Sequence, residues 1–450
     1  MRAHGIATCF FACGTALACA SPPRGDAAAT AVPSGADPAL AAFIERIRAV
    51  DNHTHANSVD PGDRDFDALP LDGLGAFEVP APLGPDSPAW LAAYKALYGY
   101  PHSDLADAHM NELRSTMQRI AKEKGDTFPL WVLDQVGVDV LLANRIAMGP
   151  GLAPPRVRWV SYADALLLPL STKAEAATTP DRAKLFPLED ALLKRYLTDL
   201  HITKLPATLE AYLKAVVTPT LEAQQKGGCV AVKFEAAYLR TLDFDETPAA
   251  TANRIYAQYA GGGEPSHADY KALQDFLFRY IAREAGRLGM AVQVHAFEGA
   301  GNFFRTAGAD PLLLEPVFND PALRATNFVI VHGGGVFSAH AAAMLWKPNV
   351  FVDTSAMTLL YTPDHLASVL KEWLSQFPNK VLFGSDASAY GPDLGWELTA
   401  WMGARNGRMA LALALTDMVR SGDINHARAE EIASMVMRTN AGKLYRLDLK

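Results

Sequence analysis

"NFVIVHGG", residues 327–334, is a short apolar run that ends in a histidine and a pair of glycines. Such a run, with turn residues on both sides, is typical of a strand buried on both faces, as in a parallel sheet. Further runs of this kind are found at residues 47–51, 138–144, 156–162, 229–234, 290–297, 349–355 and 380–386. Together with the quoted stretch, they predict eight buried strands.

Amphipathic segments lie between these strands. Apolar residues recur at helical spacing in residues 208–226, 268–288, 311–324 and 363–377. Strands that alternate with helices favour a closed (β/α)8 TIM barrel, an α/β fold, over an open doubly wound sheet. A doubly wound fold that binds a nucleotide would carry Gly-x-Gly-x-x-Gly after its first strand, and the sequence lacks this motif there.

We interpret residues 39–450 as a single barrel domain with two long insertions. The insertions, at about 56–130 and 241–267, follow the predicted first and fourth strands. Because both would emerge at the C-terminal ends of strands, we expect them to form a helical cap over the mouth of the barrel.

The first 20 residues have the pattern of a secretory signal peptide. Arg2 precedes an apolar stretch that closes on the small residues Ala18–Cys19–Ala20, and residues 21–38 resemble a flexible tether. The apolar stretch is too short for a membrane span of about 20 residues. The pattern predicts a periplasmic or secreted protein. Cys19 is a candidate for lipid anchoring, since residues 16–19 resemble a lipobox.

Composition narrows the classes of partner and site. Half of the residues are hydrophobic, enough for a large core, and the formal net charge of −8 argues against nucleic acid or an anionic membrane surface as a partner. Three of the four cysteines lie in the leader, which leaves Cys229 alone in the mature chain. An intramolecular disulfide and a cysteine-rich zinc site are therefore excluded there.

Polar residues lie at the ends of the predicted strands. They are His53, His55, Lys233, His295, His332 and Asp386. An unpaired polar group in a buried strand costs roughly 1–3 kcal/mol or more, and barrel strands converge at a mouth where active sites are built. Side chains in a strand repeat every two residues, so His53 and His55 would offer two imidazoles to a single ion.

This ordered set resembles the amidohydrolase superfamily of metal-dependent barrels. The nearer resemblance is to the branch with aminocarboxymuconate-semialdehyde decarboxylase and the amidohydrolase domains fused to glutamine-synthetase-like proteins. The stretches that carry it are "VDNHTH", "VKFEAAYLR", "FVIVHGGG", "NVFVDTS", "KVLFGSDAS" and the tail "TNAGKLYRL" at 439–447.

The resemblance implies a divalent metal held by His53, His55 and His295, with Asp386 close by. Imidazoles and a carboxylate suit Zn²⁺. Asp386 would ligate the metal and move a proton, and His332 would polarise the substrate carbonyl or complete the ligand set. Lys233, if carbamylated, would bridge two metals. Otherwise it would bind substrate or form a salt bridge, and the site would hold one ion.

The resemblance also implies a small-molecule substrate. Arg145 ends the second predicted strand, and Tyr238 and Glu298 follow the fourth and fifth, so these three are candidate substrate-binding residues, with surface roles as the alternative. We expect a metal-activated water to attack an amide, ester or lactone carbonyl. Non-oxidative decarboxylation on the same ligands is the main alternative, and an arginine clamp such as Arg145 would favour it. A non-catalytic binding protein on a barrel scaffold is a remote alternative.

Overall fold

The computed structural model describes residues 32–75, 78–84 and 87–449. The proposed leader, Cys19 and most of the proposed tether lie outside the described residues. The strands are β1 Ala49–Thr54, β2 Val138–Asn144, β3 Val157–Tyr162, β4 Cys229–Phe234, β5 Ala291–His295, β6 Phe328–Val331, β7 Val350–Asp353 and β8 Val381–Leu382. They form one parallel sheet in sequence order, each strand paired with the next along the chain.

Hydrogen bonds between the segment after β8 and β1 bring the two edges of this sheet together. The amide of Asn52 donates to Phe383 O at 2.9 Å, and the amide of Asp386 donates to His53 O at 2.9 Å. Thr54 and Ala387 add an isolated parallel bridge. The predicted (β/α)8 TIM barrel is confirmed, with a seam that runs through the residues of the predicted site.

Helices surround the barrel. They are α1 Pro38–Arg46, α2 Pro88–Tyr98, α3 Asp107–Lys124, α4 Phe128–Gln135, α5 Lys173–Ala176, α6 Pro180–Asp199, α7 Leu209–Tyr212, α8 Thr218–Lys226, α9 Ala249–Tyr259, α10 His267–Arg287, α11 Glu315–Phe318, α12 Ser338–Met344, α13 Met357–Leu360, α14 Pro363–Gln376, α15 Trp396–Arg420, α16 His426–Ser434 and α17 Asn440–Leu444. Side chains of Thr179, Ser266 and Thr362 cap the N-termini of α6, α10 and α14. Among the described residues, no helix has the length and apolar character to cross a bilayer.

The segment predicted as a helix at 311–324 is broken into short turns. A 3₁₀ turn at Pro311–Leu314, the four-residue α11 and a second 3₁₀ turn at Pro321–Leu323 replace it. Each of these pieces has a proline in its first turn, and proline cannot donate the backbone hydrogen bond that a continuous helix needs. The apolar spacing was helical, but the prolines decide the local structure.

The insertions cover the mouth only in part. In the first one, α2 packs sideways on α15, and Tyr98 Oη donates to Glu397 Oε1 at 2.8 Å. In the second one, α9 packs on α7 and α10 at the flank, where the ring of Tyr256 stacks on Tyr212. The apolar face of α9 is buried against these neighbouring helices, and the cap expected from 241–267 stays a prediction.

The connection from β3 to β4 contributes to the mouth instead. Its long helix α6 was not singled out from the sequence. Near its N-terminus, the carboxylate of Asp181 accepts a hydrogen bond from the amide of Phe303 at 2.8 Å, so α6 is tied to the loop that follows β5. The mouth is thus covered by loops after three different strands.

The barrel interior is apolar at its lower end and polar at its mouth. At the lower end, apolar residues of the strands pack against Ala441 and Tyr445 of the C-terminal segment. These strand residues are Val50, Val140, Leu142, Val160, Ala231, Ala291, Val329, Val331 and Leu382. The hydroxyl of Tyr445 donates to Asn52 Oδ1 at 2.5 Å and accepts from Gln293 Nε2 at 3.0 Å. The C-terminal segment thus closes one end of the barrel and bonds to β1 and β5.

Replacing Tyr445 by Phe should lower the free energy of unfolding by about 1–3 kcal/mol, because two buried amides lose a partner. Chemical denaturation followed by circular dichroism measures this change. Tyr100→Phe is the matched control, since its hydroxyl bonds only the carbonyl of Asp104 in a surface loop. Equal stability of the two variants would contradict the role given to the Tyr445 hydroxyl.

Candidate metal centre

The six polar residues predicted at the strand ends meet at the mouth of the barrel. His53 lies in β1 and His55 directly after it, Lys233 lies in β4 and His295 ends β5. His332 follows β6, and Asp386 lies in the loop after the short strand β8. All except Asp386 are buried, and the Asp386 side chain is 15% exposed. The carboxylate is therefore the member of the set that is most open to the mouth.

Three of these residues form a group that can hold a metal ion. One ligand atom each from His53, His332 and Asp386 lies within 4.8 Å of the others. Nε2 of His53 is 3.3 Å from Asp386 Oδ1, and Nε2 of His55 is 3.6 Å from the same oxygen. The His295 ring centroid lies 4.8 Å from that of His332. Two imidazoles and a carboxylate fit a divalent cation, with His55 and His295 at the border of the group.

Both residues of this group that lie outside β1 have unusual backbone conformations. His332 has φ +67° and Asp386 has φ +61°, in the left-handed region. For residues other than glycine, this conformation costs roughly 1–2 kcal/mol each. In both residues, this strained conformation lies where the chain turns sharply at a strand end and directs the side chain to the mouth.

Two amides fix the orientation of the His53 ring. Asn144 Nδ2 lies 2.8 Å from His53 Nδ1, and Gln293 Oε1 lies 3.3 Å from it. Because both approach Nδ1, Nε2 is the nitrogen that faces Asp386, and it carries the lone pair for a metal ion in the tautomer whose Nδ1–H donates to Gln293 Oε1. Gln293 is itself bonded to Tyr445, so the packing at the closed end of the barrel extends to a candidate ligand.

A serine and an aspartate orient His332. Ser355 Oγ donates to Asp353 Oδ1 at 2.5 Å and lies 2.9 Å from His332 Nδ1. Since the hydroxyl proton points to Asp353, the serine oxygen accepts from Nδ1–H of the imidazole. Nε2 of His332 then carries the lone pair that a cation needs. Asp353 also accepts the backbone amide of His332 at 2.9 Å, which holds the strained turn.

His55 has partners on its own side of the mouth. Its Nδ1 lies 3.2 Å from Asp67 Oδ2 and 3.2 Å from the Tyr162 hydroxyl. Asp67 belongs to the loop after β1, so this insertion supplies a carboxylate that orients His55. As with His53, Nε2 is the nitrogen left facing Asp386.

The protonation of the imidazoles follows from burial and neighbouring charges. Burial, together with the charge of Lys233, lowers the pKa of His295 to about 3. Burial also holds the pKa of His53 and His332 well below their usual range. Burial alone would lower the pKa of His55, but the carboxylates of Asp67, Asp386 and Glu235 together outweigh it and raise that pKa. Neutral His53 and His332 present lone pairs, as metal ligands must.

Lys233 is fully buried between the metal group and a second set of carboxylates. Its Nζ lies 3.5 Å from His53 Nε2 and 3.4 Å from Glu235 Oε1. The amide of Glu235 donates to Asp164 Oδ2 at 2.7 Å. Burial raises the pKa of Glu235 to about 8, with the charge of Asp67 as the next contribution. The lysine in this structure is thus paired with an acid.

The candidate substrate-binding residues have different surroundings. Tyr238 lies beside the site, with its ring centroid 4.9 Å from that of His295. Glu298 lies on the loop after β5 and accepts the amide of Val336 at 3.1 Å, so it supports the glycine-rich turn after His332. Of the three candidates, Tyr238 is the one in ring contact with a strand-end residue among those that the structure describes.

Arg145 is bound to protein groups. Its side chain is fully buried, and Nη2 lies 2.7 Å and 2.8 Å from the two Asp63 carboxylate oxygens. Nη1 donates to Ala56 O at 2.7 Å, and Nε donates to Ala147 O at 2.9 Å. These bonds hold the loop after β1 in place. The guanidinium therefore acts as a structural clamp on this loop.

Several residues of the site were not identified from the sequence. They are Asp67, Tyr162, Asp164, Glu235, Gln293, Asp353 and Ser355. Two of them carried a usable signal, because Glu235 and Gln293 lie two residues from Lys233 and His295 and share their side of the strand. Asp353 and Ser355 end the stretch "NVFVDTS", which was read only as a strand. Asp67 lies in an irregular loop with no sequence pattern to mark it.

Comparison with known proteins finds a family similarity in part of the chain. Residues 226–447, the C-terminal half of the chain, match the family model described as amidohydrolase. A curated relative, Protein fluG of Emericella nidulans, is 27% identical over 230 residues. This match covers 49% of the present chain and only 26% of the relative, so the chain corresponds to about a quarter of that protein.

Solved structures share the fold. A protein of Lactobacillus casei assigned as a metal-dependent hydrolase superposes with a TM-score of 0.56 at 17% identity, covering 90% of this chain and 97% of that one. Glucuronate isomerase of Caulobacter crescentus superposes with a TM-score of 0.60 at 14% identity, covering 92% and 94%. The match to the amidohydrolase family model thus covers the part of the chain that carries His295, His332 and Asp386, and the solved structures share the barrel fold.

Proposed function

We propose that this enzyme hydrolyses an amide, ester or lactone bond of a small molecule with the help of one Zn²⁺ ion. The observation that carries the proposal is the group of His53, His332 and Asp386, whose ligand atoms lie within 4.8 Å of one another at the barrel mouth. A divalent ion bound there supplies Lewis-acid polarisation and lowers the pKa of a water toward neutrality.

The residues of the chain have distinct roles in this proposal. Oδ1 of Asp386 faces the imidazoles of His53 and His55, which leaves Oδ2 to accept a proton from the attacking water and return it to the leaving group. His53 and His332 hold the ion through Nε2, oriented by the amides and by Ser355 respectively. Tyr238, beside His295, contacts the substrate at the rim.

Hydrolysis is favoured over decarboxylation by the surroundings of Arg145. The arginine expected to hold the departing carboxylate is paired with Asp63 and two backbone carbonyls. Asp386, by contrast, is partly open to the mouth and suited to proton transfer. A binding protein without chemistry would have no use for a strained turn that directs this carboxylate to the histidines.

Replacing Asp386 by Asn should lower turnover at least about a hundredfold, because the proton acceptor is lost while the shape is kept. Initial rates on a panel of amides, esters and lactones, with metal content measured in parallel, test this. Asp417→Asn is the control, since Asp417 pairs with Lys371 on the surface. Near-normal rates in Asp386→Asn would show that the carboxylate has another role.

Elemental analysis should find one ion per chain in the wild type, with zinc as the expected metal. His53→Ala should weaken metal binding by more than the 10–100-fold typical of losing an outer-shell partner. His109→Ala, a partly exposed histidine on α3, should keep full occupancy. Two ions per chain would instead support a carbamylated Lys233. Unchanged occupancy in His53→Ala would contradict the ligand assignment.

We also propose that the protein is exported. The support is the N-terminal pattern of Arg2, an apolar stretch and Ala18–Cys19–Ala20, together with a single mature cysteine, Cys229, which is buried and free. Mass spectrometry of the protein from its native host should show the loss of about the first 20 residues, and a lipid adduct would identify Cys19 as an anchor. An intact leader on the protein in the cytosol would refute export.

A further inference from the structure

A cavity of about 180 Å³ lies beside the metal group and is separate from it. It is lined by the loops after β3 and β4, by α6 and by α10. None of the six strand-end residues described above lines it. Its nearest link to the metal group is Asp164, which accepts the amide of Glu235. The cavity has the volume of about six liquid waters, so it admits a small organic molecule.

Basic side chains dominate the charged lining, and three of them are bonded to acidic side chains. Arg240 Nη2 lies 2.6 Å from Asp275, Lys271 Nζ lies 2.8 Å from Asp275, and His267 Nδ1 lies 2.8 Å from Glu175. These pairs hold the wall of the cavity together. All three residues thus have partners within the protein.

Arg182 and Arg305 differ from the other basic residues of the lining. Among the described residues, the only hydrogen bond from the Arg182 guanidinium goes to Thr178 Oγ1 at 3.2 Å. The Arg305 guanidinium has neither a hydrogen bond nor an ion pair within the described part of the chain, although its backbone carbonyl accepts the amide of Gly308 at 2.8 Å. Both arginines also line a second, smaller cavity beside Tyr238. Two guanidinium groups thus share one edge of the cavity without a bonded acid.

Electrostatics support an anion as their partner. Burial lowers the pKa of Arg182; the charge of Glu175 opposes this effect and that of Arg305 adds to it. Glu175 is already hydrogen-bonded to His267, so it balances the pair only in part. A carboxylate between the two guanidinium groups would relieve their repulsion through charge-assisted, bidentate hydrogen bonds.

Besides Asp164, Thr241 and Gln274, the rest of the lining is apolar and defines the body of the ligand. Leu167, Leu168, Phe186 and Leu239 contribute hydrocarbon surface to the same cavity. We propose that this cavity binds a small carboxylic acid with an apolar body, the carboxylate paired with Arg182 and Arg305 and the body packed on the leucines and Phe186. This site is distinct from the metal centre and does not depend on the reaction proposed there.

Isothermal titration of the full-length protein with benzoate, after removal of metal by chelation, tests the proposal. Benzoate has a ring and a carboxylate, and benzamide is the matched neutral probe. Benzoate should bind the wild type, and benzamide at least about tenfold more weakly, because only the former forms charge-assisted bonds. Equal binding of the two probes, or no binding of benzoate, would overturn the proposal.

Variants locate the binding. Arg182→Gln and Arg305→Gln should each weaken benzoate binding at least about tenfold. Arg182→Lys, which keeps the charge, should lose less. Arg254→Gln is the control, since Arg254 pairs with Asp269 outside the cavity lining. Circular dichroism verifies folding of each variant. Unchanged affinity in both glutamine variants, or the same loss in the control, would contradict the assignment.

A variant at the metal centre separates this proposal from the proposed function. Asp386→Asn should leave benzoate affinity unchanged, because Asp386 does not line the cavity. Loss of benzoate binding in that variant would place the probe at the metal centre and refute the cavity. Conversely, a hydrolase that fails the rate assays but retains arginine-dependent benzoate binding would leave the cavity proposal intact.

Discussion

The hydrogen bond from the amide of Asp386 to the carbonyl of His53, at 2.9 Å, joins the two ends of the barrel at the site itself. Because β8 has only two residues, the loop after it carries much of the contact with β1. This contact fixes the carboxylate relative to the imidazoles, 3.3 Å from one and 3.6 Å from the other. The candidate metal centre therefore depends on barrel closure.

A set of buried polar residues supports the imidazoles from behind. Asn144 and Gln293 hold His53, Ser355 and Asp353 hold His332, and Asp67 holds His55. Each bond leaves Nε2 directed toward the common centre. Orientation by such partners is what allows side chains from distant strands to converge on one ion. The barrel thus brings the imidazoles close together, and these polar contacts set the orientation of their rings.

The sequence predicted the barrel and the residues at its mouth better than it predicted their partners. Buried parallel strands are continuous apolar runs, so a polar residue at their ends is conspicuous, as with His295 and His332. The residues that orient the histidines could not be predicted in this way. Asp67 and Ser355 contact their histidines only because the loops that carry them fold in a particular conformation. The broken helix at 311–324 shows the same limit. Proline positions overrode a correct apolar period.

Tyr445 connects the closed end of the barrel to β1 across 393 residues of chain, and this separation has a consequence for folding. During synthesis, Asn52 and its neighbours in β1 emerge from the ribosome long before their partner exists. A nascent chain must therefore carry an incomplete barrel, with unpaired strand edges, until Tyr445 has been made. Such a chain has a prolonged opportunity to engage chaperones, and the speed of translation between β1 and Tyr445 would influence the yield of native protein.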